Sequence, residues 1–229
     1  MNSMQEIKLD SQAMTEPENT EEVKKDEKEG LAGKRLLILG SGPKKEAFLE
    51  LLAYMSSKEE KAFEVHTIWE EPREQDLVFL FASSDEEKMG EYLQLLDELL
   101  SKRPASVLLI SDVKVYGRVF GARRALQEED MGYVSPLTEA DGEAFLLRLC
   151  ENLAYRLYTE EGLPVKIARC SGGLQGEELS GQILKACRVL LYGENGEVYN
   201  LDEGETDGEN SPLGALPLKM DIKKVRSLY

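Results

Sequence analysis

The chain has 229 residues and a formal net charge of −16, with 28 Lys and Arg against 44 Asp and Glu. That length holds one α/β domain with a sizeable core, and the acidity excludes general binding to nucleic acid or to an anionic membrane, which needs a basic face. No signal peptide opens the chain and no apolar run approaches the ~20 residues of a membrane span, so the expected protein is soluble and cytoplasmic.

Residues 1–30 hold nine acids and four lysines. Such a segment buries too little apolar area to offset its ordering entropy, and it is expected as a disordered acidic tail ahead of a single domain at residues 31–229. Residues 34–40 (KRLLILG) are the first expected strand. Gly40, Ser41, Gly42 and Pro43 then turn into an amphipathic helix with Phe48, Leu51, Leu52 and Met55 on one face. Strand, glycine turn and helix is how dinucleotide folds aim backbone N–H groups at a pyrophosphate, with Gly40 permitting the tight turn and Gly42 leaving room for a phosphate. The last glycine of either spelling is absent. G-x-x-G-x-x-G falls on Gly40, Pro43 and Glu46, and G-x-G-x-x-G on Gly40, Gly42 and Lys45. An ordinary strand–helix turn is the equal alternative.

Residues 62–69 (AFEVHTIW) are the second expected strand and carry the only histidine, His66, read as structural. Residues 76–83 (DLVFLFAS) are the third. The few residues between them are too short for a crossover helix, so either a helix and a strand are missing at this point or the second strand pairs unconventionally. A helix over 85–101 shows the stripe Met89, Tyr92, Leu93, Leu96, Leu99 and Leu100. Residues 106–117 (SVLLISDVKVYG) and 163–170 (LPVKIARC) each hold an apolar run typical of a strand buried on both faces. Between them, residues 139–159 are amphipathic, with Leu146, Leu149, Cys150, Leu153 and Leu157 expected inside. Strand, long helix and strand form the crossover unit of a parallel sheet.

Arg118, Arg123 and Arg124 make the densest basic cluster, fit to hold a phosphate and equally fit to be solvated. A helix over 179–191, a short strand over 197–201, an acidic loop over 202–211 without calcium-ligand spacing and a short helix over 221–228 complete the chain. Cys150, Cys170 and Cys187 lie singly in apolar segments, with neither CxxC nor metal spacing, and read as core residues.

The run Ser111-Asp112-Val113-Lys114-Val115-Tyr116-Gly117 resembles the S-[ST]-x-x-V-Y-G segment of the extended short-chain dehydrogenase/reductases, the NAD(P)-dependent nucleotide-sugar epimerases and dehydratases. Glu151-Asn152-Leu153-Ala154-Tyr155, then Gly162-Leu163-Pro164-Val165, resembles the family's long helix and following strand, and residues 193–200 (GENGEVYN) resemble its late G-x-x-G-x-x-Y-N segment. The resemblance implies a Rossmann-like three-layer α/β fold with a mostly parallel sheet. It implies NAD or NADP as cofactor, a nucleotide or nucleotide sugar as ligand, and pairing through the long helix, as a homodimer or with an active relative. Gly40, Ser41, Gly42, Ala82 and Glu70, the acid near the end of the second strand, are the cofactor positions it implies.

In that family a tyrosine, assisted by a lysine, moves the proton while hydride passes to NAD(P), and a Ser or Thr hydroxyl steadies the same substrate oxygen. Here the hydroxyl position is Asp112, with Ser111 beside it; the tyrosine position is Glu143 and the lysine position is Leu147. The passage from residue 170 to 179 is short, which implies a reduced C-terminal substrate region. Two functions follow. One is a catalytically inactive or impaired relative that binds a nucleotide or a partner. The other is an active epimerase or dehydratase using Asp112 and Glu143 as a carboxylate pair. A third reading places the function in the acidic tail. Leu147 is expected to pack and Glu143 to stay near solvent. The two carboxylates at one strand end are expected to repel a diphosphate, or one of them to hold a proton.

Overall fold

Apolar runs without alternation make strands that need cover on both faces, and here they have it. The computed structural model describes residues 31–57, 63–68, 76–117, 125–135, 141–171, 176–201 and 220–229. The acidic tail, Glu70, the arginine cluster and the 202–211 loop lie outside the described residues. Six strands, β1 (Arg35–Leu39), β2 (Glu64–His66), β3 (Leu77–Phe81), β4 (Ser106–Asp112), β5 (Val165–Cys170) and β6 (Val198–Asn200), form one parallel sheet in the order β2-β1-β3-β4-β5-β6.

Among the described residues five helices cover it: α1 (Pro43–Ser57), α2 (Met89–Lys102), α3 (Gly142–Thr159), α4 (Gly176–Tyr192) and the short α5 (Lys223–Arg226). Leu36, Ile38, Phe79, Leu108 and Ala168 face α1, α4 and α5, meeting Phe48, Leu52, Ile183, Ala186 and Val225. Their neighbours Leu37, Val78, Leu109 and Ile167 face α2 and α3, meeting Tyr92, Leu96, Cys150 and Leu157. The expected three-layer Rossmann-like architecture is therefore the observed one.

The second strand is shorter than the expected 62–69. It sits at the sheet edge, where only β1 supports it, so it spans three residues and its side chains stay partly exposed. His66 lies 3.4 Å from the Glu64 carboxylate. β3 pairs on the other side of β1, and Thr67, Ile68 and Asp76, the described residues of the connection, form no helix. The order is thus that of a dinucleotide sheet without its outermost strand. Asp76, the last residue of this short connection, is buried against Arg35 of β1 in a bidentate ion pair (Nε to Oδ1, 2.7 Å; Nη2 to Oδ2), which fixes where β3 begins.

One helix face differs from expectation. Leu149 is exposed, beside exposed Phe145, whereas Ala144, Leu147, Glu151 and Ala154 are buried. The cause is Glu151: Arg169 on β5 holds its carboxylate inward and turns α3 accordingly. The three cysteines are free and buried, as expected. Among the described residues no helix is long and apolar enough to cross a membrane.

At the opposite end of the sheet from the glycine turn, Lys166 is buried with its Nζ 2.7 Å from Ser106 Oγ and 3.3 Å from the Leu190 carbonyl. Burial lowers its pKa to about 8 from the ordinary 10.5. Between those values the unfolded chain binds more protons than the folded one, so the folded state gains stability as pH rises. Chemical denaturation at pH 7 and pH 10 is expected to show this gain, about 1–3 kcal/mol, in the wild type and not in Lys166→Met. An equal pH response in both proteins would refute the assignment.

Candidate functional site

The glycine turn joins β1 to α1 at the carboxyl edge of the sheet, next to the point where the chain order reverses between β1 and β3. Open α/β sheets bind their ligands at such a point. Gly40 has φ +105°, and a Cβ there would lie 2.7 Å from the Phe81 carbonyl oxygen, so the close approach of β3 is enough to require glycine. Gly42 has φ +109° with open space around it, which is the property a phosphate needs. Pro43 opens α1 at the position where its missing N–H costs nothing. Ser41 and Gly40, with Leu39, Phe81, Ser83, Thr67 and α2 residues including Tyr92, line a cleft of about 220 Å³. Ala82 is half-buried and continues the ladder beyond β3, its N–H donating to the Ile110 carbonyl at 2.9 Å. Glu70, the remaining implied cofactor residue, is outside the described residues.

Asp112 ends β4 and spends both carboxylate oxygens on the protein. Oδ1 accepts the Lys114 backbone N–H at 2.9 Å and caps the single 3₁₀ turn Val113–Tyr116; Oδ2 accepts from Lys44 Nζ at 2.9 Å. Lys44, in the first turn of α1, reaches across the carboxyl edge to do this. Its ammonium also donates to the carbonyls of Cys170, at 2.9 Å, and Ser111, at 3.4 Å. Burial works against this ammonium, and the neighbouring Cys170 and Asp112 outweigh it, so its pKa stands above that of an ordinary lysine.

Ser111 faces the other way. Strand alternation places it with Val107 and Leu109 toward α2 and α3, and its hydroxyl is the buried side-chain oxygen without a hydrogen-bond partner among the described residues. It does not join Asp112. Leu147 is buried in a small cluster with Val113, Val115, Tyr116, Leu126 and Met220, as expected. Glu143 is exposed, also as expected, and pairs with Lys114 Nζ at 2.6 Å. Neither carboxylate is bare, since Lys44 pairs with Asp112 and Lys114 with Glu143.

Beneath this edge runs a polar network that the sequence reading did not anticipate. Arg169 forms a bidentate pair with Glu151 (3.0 and 2.8 Å), donates to the Glu128 carbonyl at 2.7 Å, and lies 4.8 Å from the Tyr116 ring centre. The Tyr116 hydroxyl donates to Asn200 Oδ1 at 2.6 Å, and the Asn200 backbone N–H donates to Glu128 Oε1 at 3.0 Å. Burial raises the Tyr116 pKa above the usual phenol value in spite of Arg169, so it remains a neutral phenol near pH 7. Its signals in the sequence are an arginine inside an apolar strand and a glutamate on the buried side of a helix.

Solved structures with this architecture are known. The dTDP-glucose 4,6-dehydratase of Bacillus anthracis, in complex with NAD, aligns at TM-score 0.57 and 13% identity over 85% of this chain and 89% of that one. The dTDP-glucose 4,6-dehydratase of Streptomyces venezuelae, with NAD, aligns at 0.52 and 17% over 73% and 75%; the UDP-N-acetylglucosamine 4-epimerase of Bacillus cereus aligns at 0.52 and 11% over 81% and 77%. The chain has the fold of the extended short-chain dehydrogenase/reductases. No protein-family model and no curated protein matches its sequence.

The residues of this fold test differently at the two ends of the site. The open space over Gly42 and the cleft beside it fit a nucleotide and its phosphates. The edge over β4 and β5 offers Lys44, Asp112, Glu143 and Leu147; among the described residues it holds no phenol with a lysine beside it, and its unpartnered hydroxyl, that of Ser111, is buried and turned toward α2 and α3, away from Asp112.

The double duty of Asp112 has a measurable signature. Asp112→Ala removes the cap and the anion for Lys44 together, and is expected to lower stability by about 1–3 kcal/mol. Asp112→Asn keeps an oxygen for the Lys114 N–H and is expected to recover about 1 kcal/mol of that loss. Urea denaturation of the two variants separates these contributions, and equal losses would show that the cap contributes nothing.

Proposed function

We propose that this protein is a nucleotide-binding module built on the epimerase/dehydratase fold, without that family's hydride-transfer activity. The observation that carries the reading is the commitment of Asp112. Both its oxygens are taken, by the Lys114 N–H and by Lys44, at the position where the family resemblance calls for a Ser or Thr hydroxyl. A general acid or base must reach the proton it moves. Glu143 is a solvated partner of Lys114, and Leu147 carries no charge. These contacts weigh against the alternative of an active nucleotide-sugar epimerase or dehydratase working through Asp112 and Glu143. Nucleotide binding is supported by the open turn at Gly42, by the adjoining cleft, and by the fold shared with proteins crystallised with NAD.

Purified protein mixed with NAD⁺ or NADP⁺ and dTDP-glucose or a UDP-sugar is expected to give no epimerised or dehydrated sugar nucleotide by chromatography, the readout that suits a reaction with no net redox change. The double variant Glu143→Tyr with Leu147→Lys is expected to stay inactive, since Asp112 and Lys44 still occupy the edge. An epimerised or dehydrated product formed by the unmodified protein, and lost in Asp112→Ala, would make the carboxylates catalytic.

A second reading, pairing through the long helix, is favoured by one observation. Phe145 (45%) and Leu149 (37%) on α3, with Leu93 (47%) on the adjacent α2, are exposed apolar side chains on one layer of the molecule. Light scattering coupled to size exclusion is expected to report a dimer that Phe145→Glu with Leu149→Glu converts to monomer. A wild-type monomer at tens of micromolar would end this reading.

A further inference from the structure

A dinucleotide fold is two mononucleotide-binding halves, and its ligand lies across the crevice with one nucleotide over each half. In this chain the two halves are in different states. At the point where the chain order reverses, over the carboxyl ends of β1, β2 and β3, a cleft is open at Gly40 and Ser41, and Gly42 next to them has free space around it. The cleft's volume of about 220 Å³ falls below the ~300–1,000 Å³ of typical ligand pockets, room for one nucleoside and not for two.

Over the second half, at the carboxyl ends of β4 and β5, the space belongs to Lys44. An ammonium has three N–H donors, and Lys44 directs them at Asp112 Oδ2 and at the carbonyls of Cys170 and Ser111. None remains for a ligand phosphate. The carbonyls of Cys170 and Ser111 at the strand ends are already answered, and a ring entering there has to displace the Lys44–Asp112 pair. Asp112 is held in turn by the backbone of the turn it caps, so the plug is anchored at both ends.

We infer that the ligand of this protein is a nucleoside diphosphate and not a dinucleotide: the Lys44–Asp112 pair is a built-in plug that closes the second nucleotide position. The inference rests on the nucleotide-binding reading above and adds the ligand's size. Lys44 is thus a specificity residue that acts by exclusion.

ADP is the portion of NAD⁺ that one half of such a fold would hold, so the two ligands measure the second position directly. Calorimetric titration of the full chain is expected to give dissociation constants for ADP and NAD⁺ within threefold of each other. In the double variant Lys44→Ser with Asp112→Ser, serine still caps the turn and both charges are gone. There NAD⁺ is expected to gain at least tenfold over ADP. Wild-type protein that binds NAD⁺ tenfold tighter than ADP would overturn the plug while leaving nucleotide binding intact, and this arm needs no variant to fold. An unchanged ratio in a folded double variant would also overturn it. Binding of neither ligand by the wild type would remove the nucleotide-binding reading and this inference with it.

Discussion

A guanidinium buried at the end of β5 is the interaction on which the carboxyl edge of this sheet depends. A charge out of water is costly unless it is paired and hydrogen-bonded, and Arg169 is answered on every side: by Glu151 from α3, the Glu128 carbonyl from the following segment, and the Tyr116 face from the turn after β4. Three separate pieces of chain must therefore stand in one arrangement. Tyr116 extends the constraint to Asn200 on β6, whose side-chain amide donates to the Leu126 and Asp221 carbonyls. The orientation of α3, the position of the turn and the attachment of the last strand are set by the same group.

The constraint explains where the site stops being plastic. With Glu151 fixed inward, Leu147 one turn earlier is also inward, packed on Val115 and Tyr116, and Glu143 a further turn back emerges into solvent. Side chains four apart share a helix face, so the burial of Glu151 carries Leu147 inward with it, while Glu143, in the first turn of α3, is left at the surface with Lys114. A lysine at 147 would have to leave an apolar cluster to act on anything. At positions 143 and 147 packing and residue type therefore agree, with a glutamate at the surface and a leucine inside.

The strand runs, the crossover through α3 and the missing outermost strand were legible because burial on both faces and connection length leave local marks. The short passage between β2 and β3 was a count of residues, and the sheet order is its consequence. What was not legible depended on reach. Leu149 has the right spacing for the core, and only the pairing of Glu151 with an arginine eighteen residues later, on another element, turns Leu149 outward. Lys44 looks like a solvated lysine in a helical first turn, yet its partner is sixty-eight residues away. Gly40 is spelled like a phosphate glycine, but the backbone of Phe81 already requires it. The cap formed by Asp112 was visible in principle, since Asp followed by a turn is a known capping pattern; the reading through a catalytic motif drew attention to what the residue lacked instead.

Asp112 and Lys44 are best understood as one change made in two places. With one oxygen of Asp112 taken by the Lys114 N–H, the other lies near the carbonyls of Ser111 and Cys170 and is stabilised there by a cation. The glycine turn is the nearest element that can send one across, and its third glycine position holds no residue needed for close phosphate contact once the edge over β4 and β5 is closed. Lys44 enters from the first turn of α1, satisfies the carbonyls and the carboxylate together, and leaves the space over Gly42 untouched. Asp112 thus creates the demand that the charge of Lys44 meets, and the space over Gly42 is the part of the edge that this charge does not reach.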